Sequence, residues 1–262
     1  LVAYDAGDRE GAVTHFAQAA KLAPGLAVAH GYLGVTLDEL GQQAEADAAL
    51  HRAAEISPGL ASLAECRDYR KAEPARAAVR GFGFKASVLR HALAAAAQSA
   101  PEPGLVLEFG VFTGRSIRVI AAEVAGPVHG FDSFEGLPED WIEGETKGAY
   151  DAGGRLPEVP ANVELLAGWF ENSLPPFLAA HPGPLRFANI DCDLYSSTRF
   201  VLEALAPRLV PGSVLVFDEY FAYPGWREHE YKAFQETVAA RGLRYRYLSL
   251  SPFTRQAAVC LL

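Results

Sequence analysis

The stretch Leu105-Val106-Leu107-Glu108-Phe109-Gly110-Val111-Phe112-Thr113-Gly114-Arg115-Ser116 decides the fold. An apolar run of strand length ends on Glu108-Phe109, a turn with two glycines follows, and Ile117 to Val124 continues at helical period. Strand, glycine turn and helix in that order open an α/β unit. Gly110 and Gly114 permit backbone to lie close to a ligand, and the helix N-terminus offers unpaired N–H groups to an anionic group. The spacing is G-x-x-x-G rather than G-x-G-x-x-G, which disfavours a pyrophosphate-containing dinucleotide. The same two glycines also suit a plain strand-to-helix turn.

Further along, short apolar runs alternate with helical patterns, the signature of a parallel sheet flanked by helices. Residues 105–109, 128–132, 163–167, 187–191 and 214–218 read as parallel strands, and 245–250 with 257–262 as a terminal antiparallel hairpin. In open α/β sheets ligands lie beyond the carboxyl ends of strands. Asp132 ends the second run, where an acidic side chain can accept hydrogen bonds from both hydroxyls of a ribose or cap the following turn. Before the sheet lies an Ala-rich helix, Ser87 to Ser99, closed by a Pro-Gly break at 101–104.

The first sixty residues follow a different rule. Gly7 matches Gly41, Ala12 matches Ala46, Ala20 matches Ala54 and Pro24 matches Pro58, an offset of 34 that is the tetratricopeptide period. Three divisions are expected: tetratricopeptide-like helical repeats over 1–62, a connector over 63–86 and an α/β domain over 87–262. About one and a half repeats fall short of the three or so that usually stand alone. They are read either as a module for a protein partner or self-association, or as a truncated array packed on the rest of the chain.

Composition narrows the function. A formal charge of −9 with no Lys/Arg-dense run argues against nucleic acid, whose backbone is bound by clustered cations. No stretch approaches the roughly 20 apolar residues of a membrane span. Three scattered cysteines, Cys66, Cys192 and Cys260, suit a reducing compartment, and a cytoplasmic protein is expected. The chain opens at Leu1 and contains no methionine, from which a longer natural chain is expected.

Four segments carry a resemblance: LEFGVFTGRS (107–116), GFDSFEGLPEDW (130–141), NIDCDLYSST (189–198) and VFDEYFAYPGWREHEYKAF (216–234). In this order they resemble the macrocin O-methyltransferase-like family of class I enzymes dependent on S-adenosylmethionine (SAM). The resemblance implies a Rossmann-like seven-stranded class I methyltransferase sheet, here beside a small all-α tetratricopeptide-like unit. It also implies SAM, a magnesium ion, and as acceptor a hydroxylated small molecule such as a sugar or glycosylated natural product. By this analogy Glu108, Gly110 and Gly114 contact the methionine end of SAM, Asp132 and Ser133 the ribose, and Gly168, Trp169 and Phe170 the neighbourhood of the adenine. Trp169 also suits a core position.

Asp191 and Asp193, with Asp218 and Glu219, then converge at neighbouring strand ends. Packed acids require protons or a cation, and an all-oxygen set suits a hard ion such as magnesium. Asp191, Asp218 and Glu219 are the expected ligands, although relatives carry two aspartates where this chain has Asp218-Glu219. Asp193 is the first choice for general base, with a helix cap as its alternative. His229 is the second, with a solvent-exposed helix position as its alternative. Cys192 is expected in the core. Tyr220, Phe221, Tyr223 and Trp226 line an acceptor pocket or pack internally, and Glu139 to Pro160 is a lid or a plain loop. Two other functions compete with methyl transfer: a non-catalytic scaffold acting through the repeats, and a nicotinamide-dependent oxidoreductase, which the glycine spacing and terminal hairpin oppose.

Overall fold

The small residues and Pro-Gly pairs of the first sixty residues form paired helices in the computed structural model, which describes residues 1–262. These are α1 (Val2–Ala6), α2 (Arg9–Leu22), α3 (Ala27–Glu39) and α4 (Gln43–Ile56). Gly7 and Gly41, equivalent at the offset of 34, both take left-handed backbone (φ 92° and 78°) between successive helices. Gly34 lets α3 close on α4, since a Cβ there would stand 2.7 Å from Leu50 Cγ. The stretch expected as connector is largely helical instead, with α5 (Ser62–Lys71) and the single turn α6 (Pro74–Ala77).

Charged residues hide α5 from an apolar-period reading, because one of them belongs to its buried face: Leu63, Cys66, Tyr69 and Arg70. Arg70 Nη1 and Tyr4 Oη donate to Glu39 Oε1 at 2.7 and 2.8 Å, and Arg9 Nε donates to Oε2 at 2.6 Å. Cations that interrupt the pattern thus serve a shared internal acid. This first compact unit comprises Leu1–Val88 with Phe221–Trp226 and Ser249–Gln256, and its aromatic core joins Tyr4, Phe16, Tyr32 and Phe253.

The second unit holds Leu89–Tyr220, Arg227–Leu248 and Ala257–Leu262. After α7 (Lys85–Ser99) come β1 (Leu105–Phe109), α8 (Arg115–Glu123), β2 (Val128–Asp132), β3 (Val163–Ala167), α9 (Phe170–Ala180) and β4 (Leu185–Ile190). There follow α10 (Tyr195–Leu205), β5 (Val214–Phe217), α11 (Glu230–Arg241), β6 (Tyr245–Ser251) and β7 (Gln256–Leu261). The sheet order is β3-β2-β1-β4-β5-β7-β6, with the first five strands parallel and β7 antiparallel to β5. All the strands expected from sequence are present. Central strands are buried on both faces, as the continuous apolar runs require, whereas β3 at the edge is half exposed. No helix is long and apolar enough to cross a membrane.

The order fixes where a ligand can lie. The chain moves from β1 outward through β2 to β3, then returns to the other side of β1 with β4. That reversal makes the carboxyl ends of β1 and β4 a topological switch point, where loops part and leave a crevice. Behind it, Gly130 in β2 sits against α8. A Cβ at Gly130 would stand 2.5 Å from Ile117 Cδ1 and 2.8 Å from Val111 Cγ2. Gly130→Val is therefore expected to destabilise the protein by about 1–3 kcal/mol through overpacking, read as a lower urea midpoint.

Candidate functional site

Gly110 and Gly114 both have left-handed backbone (φ 87° and 75°). At Gly110 a Cβ would fall 1.9 Å from the Asp191 carbonyl oxygen, so only glycine lets the turn after β1 close on the end of β4. Gly114 is the N-cap of α8 and no side chain caps that helix, which leaves its first N–H groups for a ligand. Glu108 lies just behind, fully buried. Asn189 Nδ2 donates to its Oε1 at 2.9 Å, while Oε2 has no hydrogen bond, with the Ser116 hydroxyl nearby. Burial pushes the Glu108 carboxyl up to about 8, with Asp218 and Asp132 adding to the shift and Ser116 and Asn189 opposing it.

Asp132 ends β2 and is engaged by backbone. Its Oδ2 accepts from the N–H groups of Val111 and Phe112, and its Oδ1 from that of Phe134, all at 2.7 Å. Ser133 Oγ accepts from Glu135 N–H at 3.1 Å and donates to the Gly136 carbonyl at 3.3 Å. Gly168 (φ 132°) donates its N–H to the Asp132 carbonyl at 2.9 Å. Trp169 is the N-cap of α9, and the Phe170 ring meets Phe109 edge-on at 5.7 Å. All three are half-buried beside the β2–β3 ends.

The acids divide differently from expectation. Asp191 continues β4 by donating its N–H to the Phe109 carbonyl at 2.8 Å, and Asp218 continues β5 through the Ile190 carbonyl at 2.8 Å. Asp218 and Glu219 are buried, and Asp191 and Asp193 half-buried. No group of three or more His, Cys, Asp or Glu side chains is disposed to hold a metal ion. The structure thus gives no support to one magnesium ion shared by Asp191, Asp218 and Glu219. Glu230, outside the expected ligand set, is fully buried beside the same strand ends. Its Oε1 accepts from Cys192 N–H at 3.1 Å and its Oε2 from Glu219 N–H at 3.0 Å, tying the two strand ends together. Burial pushes the Glu230 carboxyl far up, and Asp193, Asp218 and Glu219 push it the same way.

Glu230 was detectable: with Ala233, Phe234 and Thr237 it occupies the buried face of α11, in phase with the apolar stripe. Asp193 has φ 59°, a conformation uncommon outside glycine, and the N-cap of α10 is Leu194, one residue beyond it. His229 is half-buried at the N-cap of α11, its ring edge-on to Trp141 at 6.2 Å, and burial lowers its basicity against the pull of Glu228. The Cys192 thiol is pushed far up by burial and is inert. Tyr220, Phe221, Tyr223 and Trp226 are all essentially inaccessible, which makes them packing residues and not an open acceptor pocket.

The segment from Glu139 to Pro160 is tied down along its length. Trp141 is buried, Ser196 Oγ donates to Glu139 at 2.6 Å, and Arg118 donates from Nε and Nη2 to the Glu158 carbonyl at 3.1 and 2.6 Å. Pro157 covers Gly114. The long loop therefore lies over the glycine turn.

Residues 107–220 match a protein-family profile described as "Methyltransferase domain". A curated relative from Streptomyces olivaceus, 8-demethyl-8-(2,3-dimethoxy-alpha-L-rhamnosyl)-tetracenomycin-C 4'-O-methyltransferase, is 35% identical over 145 residues. That alignment covers 45% of this chain and 53% of the relative, so the chain spans about half the length of the curated protein it matches. Among solved structures, the calicheamicin methyltransferase CalS11 is similar at 26% identity and a TM-score of 0.51, over 67% of this chain and 77% of that one. Sequence match and sheet order agree in likening the second unit, over residues 107–220, to a methyltransferase domain.

Glu108 gives a stability test whose sign is fixed. Its carboxyl keeps its proton in the folded state up to about pH 8, while in the unfolded chain it ionises near the ordinary 4.5. Between these values the unfolded state is favoured progressively as pH rises; above both the penalty is constant. Glu108→Gln, which cannot ionise, is expected to gain stability relative to the parent from pH 5 to 8 and no more beyond. Urea unfolding at pH 5, 6.5, 8 and 9 measures the difference, and a difference that ignores pH would refute the buried neutral acid.

Proposed function

We propose that this domain transfers a methyl group from SAM to a hydroxyl of a sugar or glycosylated natural product. One observation carries the proposal: the uncapped N-terminus of α8 and the unpaired Glu108 Oε2 meet, beside the turn that Gly110 closes against Asp191, at the switch point of a methyltransferase-like sheet. Free helix N–H groups and an orphaned buried oxygen are what a bound cofactor would complete. Glu108, Gly110 and Gly114 then hold the methionine end. Asp132 and Ser133 face the ribose, Oδ1 of the carboxylate keeping acceptor capacity beyond its single backbone bond while Oδ2 is taken by two. Gly168, Trp169 and Phe170 border the adenine. When bound, SAM supplies an electrophilic methyl on sulfur and leaves as S-adenosylhomocysteine.

The protein's own contribution is orientation and a base. Asp193, held in left-handed backbone at the end of β4, accepts the hydroxyl proton as the new O–CH3 bond forms. His229 is the second candidate, which its half-buried place beside Trp141 and its lowered basicity would allow. The relative from Streptomyces olivaceus is named for methylation on a rhamnosyl group, which supports a sugar hydroxyl as acceptor.

The helical hairpins over residues 7–60 we read as tetratricopeptide-like, supported by the offset of 34 and the paired left-handed Gly7 and Gly41. A scaffold without cofactor is the competing function, and the empty-handed Glu108 and glycine cradle speak against it.

Calorimetry with SAM and S-adenosylhomocysteine tests the cofactor; absence of binding would overturn the proposal. Asp193→Asn is expected to lower kcat about 10²–10⁴-fold with SAM affinity retained, followed as S-adenosylhomocysteine release with rhamnosyl acceptors. An equal loss in His229→Ala alone would transfer the base to His229.

A further inference from the structure

The aromatic residues expected to meet the acceptor are buried, yet two others are not. In the second unit the exposed large hydrophobic residues are Phe112, Tyr150, Leu156 and the terminal Leu262. Three of these four belong to the glycine turn and the loop that covers it. Phe112 and Tyr150 are 40% and 41% exposed, and their rings meet edge to face at 5.7 Å. Both have left-handed backbone (φ 46° and 64°), a conformation that costs a bulky residue energy and persists only where neighbours impose it.

The neighbours are identifiable. Phe112 N–H is held by Asp132. Tyr150 sits in a loop closed by Leu137 N–H to the Ala149 carbonyl and Gly148 N–H to the Leu137 carbonyl, both 2.9 Å, and by pairing of Glu135 with Asp151. Left-handed backbone alone does not expose a ring, since Phe134, at φ 57° on the same Asp132, is buried; the exposure of Phe112 and Tyr150 is what packing leaves unexplained. The surroundings of Tyr150 are acidic: its hydroxyl bonds Glu145, and burial together with Asp193, Glu145 and Glu219 pushes it up to about 12. An apolar ring surface bordered by carboxylates suits a pyranose, whose C–H face packs on aromatic rings while its hydroxyls donate to the acids. It does not suit an anionic acceptor.

Building on the sugar-hydroxyl reading, we propose that Phe112 and Tyr150 form the acceptor wall, against which a neutral pyranose lays its C–H face and so presents a hydroxyl to Asp193. Two measurements test it on the full chain. Saturation-transfer NMR with methyl α-L-rhamnopyranoside, in the presence of S-adenosylhomocysteine, reads binding without turnover. Release of S-adenosylhomocysteine with a rhamnosyl acceptor reads KM and kcat.

Phe112→Ala and Tyr150→Ala are each expected to raise acceptor KM about tenfold or more and to abolish saturation of the ring protons. Tyr150→Phe is expected to restore the saturation lost in Tyr150→Ala. SAM affinity, measured by calorimetry in each variant, separates a lost wall from a collapsed glycine turn. Saturation of the rhamnoside by the parent without any turnover would support the wall and sink the methyl-transfer reading. Variants with acceptor KM within twofold of the parent, or a parent that does not bind the rhamnoside, would overturn the wall.

Discussion

Everything at the crevice depends on one carboxylate and three backbone donors. Asp132 receives the N–H groups of Val111 and Phe112 from the turn after β1, and that of Phe134 from the loop after β2. Phe112 and Phe134 are both left-handed residues without the licence of glycine, at φ 46° and 57°. Each such residue costs about 1–3 kcal/mol, and hydrogen bonds to a charged group return about 1.5–3 kcal/mol each. Three bonds can therefore hold two strained positions. The strain has a geometric product: with Phe112 fixed, the glycine turn keeps its shape against Asp191 and the phenyl ring is turned outward. Asp132 is thus the organiser of the turn, whatever ligand it also meets.

The carboxylates show a second consequence of crowding at strand ends. Four acids in NIDCD and FDE read naturally as a cation site, because oxygen ligands in that number need a positive partner or protons. Local sequence cannot decide between those solutions. Glu230, nearly forty residues from Cys192 in sequence, bears on both strand ends, because its carboxyl reaches back to their backbone. Burial and the neighbouring acids push this carboxyl up, and its two accepted N–H groups join the strand ends from within the chain.

Periodicity made the sheet legible. The central strands β1, β2, β4 and β5 are short apolar runs, and burial on both faces leaves no alternation to confuse with an amphipathic helix. The positions of the glycine turn and of Asp132 at the end of β2 were legible too, because backbone geometry close in sequence sets them. What escaped was set by distant partners. α5 reads as a connector because Arg70, one of its inward residues, is charged, and Glu39 on α3 with the Val79 carbonyl makes that position tolerable. Glu230 escaped for the same reason, an acid in phase with an apolar stripe.

The aromatic residues make the same point in reverse. Tyr220, Phe221, Tyr223 and Trp226 crowd together in sequence and invite a binding role, yet clustering of large apolar groups is what a core requires, and all four are buried. Phe112 and Tyr150 are nearly forty residues apart and neither stands out in its own segment. Their significance comes from exposure held against strain, which burial cannot explain and a packed core would not produce. For an aromatic side chain, the informative observation is exposure where neighbours fix the backbone, and at Phe112 and Tyr150 both occur on the glycine turn and the loop that covers it.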